Sequence, residues 1–440
     1  MKQRGRHRRR RRSAALRAVL AGTALALTAA ATLISASQAQ VTEDSGALKP
    51  LTSPADTARF RLQEHMVPAR DLDRLAAGMG RPVGVDAVLA GADRTLRTAD
   101  DCSADDRASL PLSPAAARAY CWDPADTAGG WRPASVTVSG DDGARGAHRV
   151  VLAGWTHGTG TGRPGERGLA RVAFVDAHDP AHLAYRSVLL VVPVAGGRDY
   201  RGLVSDVSGM VRYRDKLLVT TTAGAADALY VYDLRRIQRT TVDAPAIGRV
   251  PGGWSADGHR FVLPAVGSYR FTAGHCAPAG PPCPGALALD RGTAPGSLVA
   301  AERTEPGSDR AARLWRYALT AGPARPGPLA TDARGRADAV EAYRTRASGI
   351  RGVLSYRKAG ADRPSWYVGR LPDAQDGHGG LWRQDTGRGR AAHCGADASD
   401  RCWARGAGSL SYSPETGEVW SLSDSMLFTV PLPALDRAVD

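Results

Sequence analysis

Residues 208–220 read Ser-Gly-Met-Val-Arg-Tyr-Arg-Asp-Lys-Leu-Leu-Val-Thr, two short apolar runs on either side of a polar turn. Short runs of this kind, bounded by turn residues, are typical of antiparallel β-strands. Outward from this stretch, the same pattern predicts strands at residues 149–155, 169–175, 185–192 and 229–232. Because no long helical pattern separates these runs, a parallel α/β sheet is not expected, and the chain is predicted to be all-β.

A repeat indicates how the strands are grouped. The pattern Gly-x-apolar-x-Tyr occurs at residues 209–213, 352–356 and 408–412, each time followed by a polar turn and another apolar run. The first two tyrosines are 143 residues apart, which divides into three units of about 48, close to the length of a propeller blade. The sequence therefore predicts a β-propeller of about six blades over residues 131–440. A pair of packed β-sandwiches is the alternative.

Several of these stretches also carry a resemblance to a known group of proteins. Residues 208–220 with their continuation at 229–235, residues 408–420 and residues 61–65 resemble segments of secreted, uncharacterised proteins of high-GC Gram-positive bacteria. The likeness extends over most of residues 60–430. It implies propeller-like blade repeats and brings no established activity.

The first 39 residues have the order of a secretory signal peptide. Nine lysines and arginines lie within residues 2–17, an uncharged apolar stretch follows at 18–36, and Ser37-Gln38-Ala39 offers a small-x-small cleavage site. The sequence therefore predicts a secreted, extracellular protein whose leader is removed. An uncleaved membrane anchor is the alternative, because 19 uncharged residues also suffice to span a bilayer.

The net charge of +14 does not indicate a nucleic-acid partner. Nine of the positive charges belong to the predicted leader, which leaves +5 on the remaining 401 residues. That is an ordinary balance and not a phosphate-binding surface. The leader, if it is retained, would be the only membrane contact.

Residues 40–130 differ in pattern from the strand-rich remainder of the chain. Residues 60–65 and 71–77 are compatible with helices, and a stretch rich in Pro and Asp comes after them. We predict a partly helical N-terminal extension with one disulfide, packed on the main body.

The six cysteines form three pairs of sequence neighbours. An even number in an exported chain predicts the disulfides Cys102–Cys121, Cys276–Cys283 and Cys394–Cys402. Zinc is disfavoured, because the last two pairs enclose six and seven residues, more than the two to four of a zinc knuckle. No metal and no cofactor is predicted.

The common catalytic and nucleotide-binding signatures do not occur. Patterns for a hydrolase nucleophile elbow, a zinc protease helix, an EF-hand and a Walker loop are all missing from the sequence. The one Gly-x-Gly-x-x-Gly match, at residues 160–165, contains Pro164 and precedes a strand instead of a helix. A hairpin loop is therefore the better interpretation.

One group of histidines and aspartates has the composition of a cation site. Its members are His157, His178, His182, Asp176 and Asp179, all placed around one predicted hairpin. Asp-Ala-His-Asp-Pro at residues 176–180 also has the chemistry of a solvated turn, which is the favoured interpretation.

Five residues are candidates for ligand binding. Asp206, Arg351 and Arg405 precede the three repeated glycines, so a propeller would place them together at one mouth of its channel. An acid and two guanidinium groups there could bind an anionic or sugar-like ligand; a solvated rim is the alternative. Trp254 and Trp382 follow glycines in loop-like contexts and are candidates for stacking on a ligand.

These observations favour a secreted, non-enzymatic propeller that binds an extracellular ligand or an envelope component. One alternative is an extracellular enzyme acting on polysaccharide or cell-wall fragments, although no catalytic residue can be named. Two acids with raised pKa values in a deep channel would favour that enzyme. A structural envelope scaffold is the other alternative.

Overall fold

A computed structural model describes residues 46–138, 149–158, 160, 165–221, 225–322, 326–358, 360–372, 377–406 and 408–440. The chain divides into two units, Met1–Asp44 and Ser45–Asp440, and all described residues belong to the second. The predicted leader lies outside the described residues. Within the described ranges, no helix is both long and apolar enough to cross a membrane.

The elements before residue 131 are short and mixed. They are β1 (Lys49–Pro50), α1 (Pro54–Ala58), β2 (Leu62–Met66), α2 (Ala69–Met79), α3 (Gly84–Leu89), β3 (Arg94–Thr95), β4 (Arg97–Thr98), α4 (Ala104–Ala108), β5 (Arg118–Cys121) and α5 (Pro124–Ala128). The predicted helix at 71–77 is confirmed in α2, which buries Leu72, Leu75 and Met79 on one face. Residues 60–65 were expected to be helical, and this was wrong: most of them form β2, because pairing with a longer strand overrides a weak local preference.

The remaining strands fall into five groups of antiparallel strands, which we call blades I to V; a parallel strand pair joins blades I and II into one sheet. Blade I contains β6 (Trp131–Val138), β7 (Val150–His157), β8 (Ala170–Asp176) and β9 (Ala184–Val194), with β10 (Asp199–Gly202) paired to β9. Blade II contains β11 (Met210–Tyr213), β12 (Lys216–Thr220), β13 (Leu229–Asp233) and β17 (Phe261–Phe271). Three short strands lie between β13 and β17 in the chain: β14 (Gln238–Arg239), β15 (Ile247–Val250) and β16 (Gly253–Ala256).

Blade III contains β18 (Pro284–Asp290), β19 (Ser297–Glu302), β20 (Ala312–Ala318) and, after β21 (Arg336–Ala337), β22 (Ala339–Thr345). Blade IV contains β23 (Ile350–Tyr356), β24 (Ser365–Arg370), β25 (Gly380–Gln384) and β26 (Gly389–Ala391). Blade V contains β27 (Ser411–Ser413), β28 (Glu418–Leu422) and β29 (Met426–Pro431), and α6 (Leu432–Ala438) follows it. The strands predicted at residues 149–232 are confirmed to within two residues at each end.

The blades follow one another in a ring. The first strands of blades I and II, II and III, and III and IV contact each other in turn, and β27 and β28 of blade V contact β6 of blade I. Blades IV and V meet where Gly352 faces the carbonyl oxygen of Gly408. The mostly β architecture is thus confirmed.

Five hydrophobic clusters lie in the five interfaces of this ring. The cluster between blades I and II contains Leu152 and Leu217, and that between II and III contains Val231 and Trp315. The other three are represented by Val299 with Val353, by Tyr367 with Phe428, and by Trp155 with Trp420. Because each inner blade face is covered by a neighbour, strands such as β7 are buried on both sides and read as continuous apolar runs.

The expected count of about six blades is not confirmed. Asp290 ends β18 as Tyr213 ends β11 and Tyr356 ends β23, so the 143 residues between the two tyrosines hold two repeats and not three. Blade II carries the inserted strands β14–β16, and blade III has a long connection between β20 and β22. These insertions lengthen the repeats beyond the assumed length of about 48 residues.

Residues 46–130 do not form a body separate from the blades. β5 pairs with β29 and β4 with β5, so the outer strands of blade V come from the N-terminal part of the chain. β1 pairs with β22, β2 with β17 and β3 with β9. Residue 130 is therefore not a boundary between compact units.

The three predicted disulfides are confirmed. Cys102–Cys121, Cys276–Cys283 and Cys394–Cys402 are all bonded. The first fixes the outer strand of blade V to the turn before α4, and the other two close short loops at blades III and IV. Three such bonds are expected of a chain that folds in an oxidising compartment.

Candidate functional site

The first strands of three blades share an irregularity near their beginning. In β23 the pairing with β24 shifts register between Ile350 and Gly352, which leaves Arg351 outside the ladder. The same kind of shift occurs at Ala134 in β6 and at Gly285 in β18. A β-bulge re-aims the side chain of its extra residue, and of these three residues Arg351 alone is charged.

Arg351 lies in a charged, largely dry environment. Its Nη1 atom is buried and has no hydrogen-bond partner among the described residues. Burial and the nearby Arg303 charge both lower the pKa of Arg351, while Asp206 and Glu305 act in the opposite direction. The structure therefore places Asp206, Arg303 and Arg351 in one electrostatic environment.

Arg303 joins Asp206 directly. The two side chains form a close ion pair, and Arg303 Nη2 also donates to Ser208 Oγ at 2.5 Å. Asp206 Oδ1 and Arg303 Nε are both buried without a hydrogen-bond partner in the described structure. We call Asp206, Arg303 and Arg351 the entry cluster, because it lies where the first strands begin, on what we call the entry face of the ring.

The loop that carries Asp206 is held from two sides. Ser205 Oγ donates to the carbonyl oxygen of Thr220 at 2.8 Å and accepts from Val207 N at 3.1 Å. Ser135 Oγ donates to the carbonyl oxygen of Val207 at 2.5 Å. Val207 itself has a φ of 37°, uncommon for a β-branched residue. The carboxylate is thus fixed before any ligand arrives.

Arg405 belongs to a neighbouring group of charges. It lies 3.7 Å from the exposed carboxylate of Asp105 and close to Asp424 and Arg132. Desolvation raises the pKa of Asp424, and the charges of Arg405 and Arg132 partly oppose this. The described contacts of Arg405 are with these residues and not with Asp206 or Arg351.

Trp254 is a packing residue of the body. It lies in β16 and not in the expected loop, and is 6% exposed. Its Nε1 donates to the carbonyl oxygen of Gly78 at 2.9 Å, and its ring stacks on Tyr200 with centroids 5.5 Å apart. The indole therefore fastens helix α2 to the sheet.

Trp382 is likewise in a strand and not in a loop. It lies in β25, is 2% exposed and belongs to the core between blades III and IV. The guanidinium of Arg370 covers its ring at 4.7 Å. Both tryptophan faces proposed for ligand stacking are thus occupied by protein.

The histidines and aspartates considered as a cation site lie in turns and in the core. Asp176 Oδ1 accepts from His178 N at 3.0 Å, and Asp179 Oδ1 accepts from Ala181 N at 2.9 Å, which are Asx-turn contacts. His157 is buried, with Nε2 2.7 Å from the carbonyl oxygen of Gly129. Within the described ranges, no cluster of three or more His, Cys, Asp or Glu has the geometry to hold a metal ion.

The glycine-rich match at 160–165 connects two antiparallel strands. β7 and β8 pair on either side of it, so it spans a hairpin connection as predicted. Residues 161–164 lie outside the described residues.

Arg303 is the site residue that sequence reasoning missed. It follows β19, and its backbone N donates to the carbonyl oxygen of Cys283 at 2.8 Å, which places it beside the beginning of β18. Its position depends on the antiparallel register of blade III, where the repeated glycine and tyrosine are both absent. The only local signal is a charged residue directly after an apolar strand.

Comparison with known proteins adds little to this geometry. No protein-family description and no curated sequence matches the chain. Among solved structures, Drosophila Plexin A in complex with Semaphorin 1b aligns with a TM-score of 0.26 at 10% identity, covering 64% of this chain and 71% of that chain. Drosophila Semaphorin 1b, extracellular domains 1-2, gives 0.24 at 8% identity over 64% and 71%. At these TM-scores neither likeness bears on function.

Proposed function

We propose that the chain is a secreted five-bladed β-propeller that binds an extracellular ligand or partner through its entry cluster. The carrying observation is that Asp206 Oδ1, Arg303 Nε and Arg351 Nη1 are all buried and unpaired within the described structure. Each such atom costs about 1–3 kcal/mol, and more when the group is charged. A ligand that pairs with them offsets that cost.

The propeller assignment is supported by the ring itself. Among the described residues, five blades, five interface cores and the completion of blade V by β5 are features expected of a closed blade assembly. Secretion is supported by the three disulfides and by the order of residues 1–39. The resemblance to secreted proteins of high-GC Gram-positive bacteria is compatible with both and stays a prediction.

The atoms of the entry cluster define the chemistry of the ligand. Guanidinium groups donate to carboxylate or phosphate oxygens, and Arg351 has an unpaired donor for this purpose. Asp206 Oδ1 accepts from a hydroxyl or amide group. The ligand we propose carries an anionic group next to a hydrogen-bond donor, as an acidic sugar or a free peptide carboxyl end does.

Calorimetric titration of the full chain with N-acetylmuramic acid, galacturonate and an acetylated dialanine tests this proposal. We expect at least one to bind, and Arg351→Met to weaken that binding at least about tenfold, because one charge-assisted hydrogen bond is lost. The exposed Arg81→Met is the matched control and should leave the affinity unchanged. Equal binding by wild type and Arg351→Met would contradict the proposal.

The enzyme alternative asks for a pair of converging acids. The raised pKa of Asp424 provides one carboxyl group of the required kind. A single carboxyl group does not make the acid pair that this enzyme needs, and we therefore favour a binding protein.

A further inference from the structure

The opposite end of β11 carries a second, differently built feature. Tyr213 pairs with Lys216, so Arg214 and Asp215 form a two-residue hairpin turn. Arg214 has a φ of 57°, a conformation that glycine or asparagine adopts at lower cost in such turns. Backbone strain of this kind is often retained at functional positions. We call this side of the ring, where the first strands end, the exit face.

Two cavities flank this hairpin and share it as a wall. The first, of about 470 Å³, is lined by Tyr213 and Arg214 together with Asp86 of α3, Asp215 and the basic residues Arg212, Lys216 and Arg235. The second, of about 540 Å³, is lined by Tyr213 and Arg214 together with Arg291 and residues 293–296. Each volume lies in the range of about 300–1,000 Å³ that small-ligand sites occupy. An extended ligand that crosses the hairpin would reach both.

The shared wall is positively charged. Lys216 is neutralised by Asp215 and Asp233, each 2.9 Å away. Arg214 has no such partner: its guanidinium donates to the carbonyl oxygen of Ala321 at 3.0 Å, and no described carboxylate lies within salt-bridge distance of it. The described lining of the second cavity contains no Asp or Glu.

The wall also contains a fixed aromatic ring. Tyr213 is half-buried, and its hydroxyl donates to the carbonyl oxygen of Thr320 at 3.0 Å. The Arg214 guanidinium lies 5.1 Å from the centre of this ring. An aromatic ring beside a guanidinium suits a sugar that carries a carboxylate, since the exposed part of the ring contacts the apolar side of the sugar and the carboxylate pairs with the charge.

We propose that the exit face binds an acidic polysaccharide across the Tyr213–Arg214 hairpin, one segment in each cavity. This site is distinct from the entry cluster and does not depend on it. Arg214 supplies the charge at the crossing point, and Tyr213 supplies an aromatic contact beside it. The strained turn is retained because an arginine is needed where glycine would fold more easily.

Binding of the full chain to polygalacturonate, with dextran as the neutral glycan and inorganic polyphosphate as the non-sugar polyanion, tests the proposal. We expect polygalacturonate to bind, dextran not to bind and polyphosphate to bind at least about tenfold more weakly. Arg214→Gly should weaken polygalacturonate binding at least about tenfold without lowering the melting temperature, because glycine relieves the turn. Tyr213→Leu should also weaken it, whereas Tyr213→Phe should retain it.

Each contrary result overturns the proposal. With Arg351→Met present in both proteins to weaken the entry cluster, absence of polygalacturonate binding, or full binding after Arg214→Gly is added, removes the site. Equal affinity for polyphosphate, or full binding by Tyr213→Leu, shows that the site recognises negative charge alone, and rules out a specific polysaccharide ligand. The entry-cluster variant Arg351→Met should bind polygalacturonate at this face as wild type does, which separates this test from that of the proposed function.

Discussion

Ser135 donates a hydrogen bond from Oγ to the carbonyl oxygen of Val207, 2.5 Å away, and both residues are fully buried. The bond joins the first strand of blade I to the loop that leads into blade II and carries Asp206. The position of a candidate ligand group is therefore set by a contact between blades.

Replacing Ser135 with alanine tests this contact. We expect Ser135→Ala to lower the free energy of unfolding by about 1–3 kcal/mol, because the buried Val207 carbonyl loses its partner. Urea denaturation measures the change. The exposed Thr95→Ala in β3 is the control and should change the free energy of unfolding by less than about 0.5 kcal/mol. A Ser135→Ala protein as stable as wild type would show that the bond is dispensable.

Gly352 marks a close approach between blades IV and V. A Cβ atom on Gly352 would lie 2.7 Å from the carbonyl oxygen of Gly408. Gly352→Ala should therefore destabilise the protein by about 1–3 kcal/mol, as overpacking does. Gly322→Ala, whose added carbon meets nothing within 4 Å, is the control. Thermal unfolding of both variants decides the matter, and similar melting temperatures would refute the close approach.

Arg316 and Arg351 both lie within the blades, but they differ in how completely their guanidinium groups are paired. Arg316 bonds to Asp290, Glu341 and Ser355, whereas Arg351 leaves Nη1 unpaired. Arg316→Met should cost about 3–5 kcal/mol, because it leaves the buried carboxylate of Asp290 without its charged partner. Arg351→Met should raise the free energy of unfolding, by about 1 kcal/mol, because a poorly paired charge leaves a dry site. A loss of stability in Arg351→Met would mean that this arginine serves the fold.

His259 gives the protein a defined loss of stability in mild acid. Burial and the charge of Arg171 lower its pKa to about 4, below the value of about 6.5 of an unfolded histidine. As the pH falls, the unfolded chain therefore binds the proton first, and stability decreases between about pH 6.5 and 4 by up to about 3 kcal/mol. Above about pH 6.5 this group has no effect.

Unfolding free energies measured from about pH 4 to 8 test this dependence. His259→Gln should flatten the curve below about pH 6.5. The exposed His275→Gln is the control and should show the same loss of stability in acid as wild type. A His259→Gln curve parallel to wild type would assign the acid sensitivity to other groups.

Most strands could be predicted from the sequence, because they are apolar runs separated by turns. The number of blades could not be predicted, and the pairing register of the first strands explains why. Directly after the bulge, Gly352 pairs with Gly369, and the corresponding positions in blades III and I hold Ala286 and Ser135. A motif that demanded glycine and tyrosine therefore missed two of the five repeats.

The candidate site was predictable only in part, for a related reason. Asp206 and Arg351 precede repeated glycines, so their common environment followed from the repeat. Arg303 reaches them across an antiparallel pair, a relationship that sequence spacing does not contain. Trp254 and Trp382 follow glycines that lie within strands, and burial in those strands is set by neighbouring blades.

The pairing of β29 with β5 makes completion of the ring a long-range event, since Leu427 lies opposite Tyr120. Blades I to IV can assemble in order as the chain emerges, but blade V lacks its outer strands until segments about 300 residues apart in sequence meet, and such distant contacts form slowly. A chain cut short before residue 426 would expose the apolar face of blade I that contains Trp155. Folding of the ring thus ends in one late step that joins the two ends of the described chain.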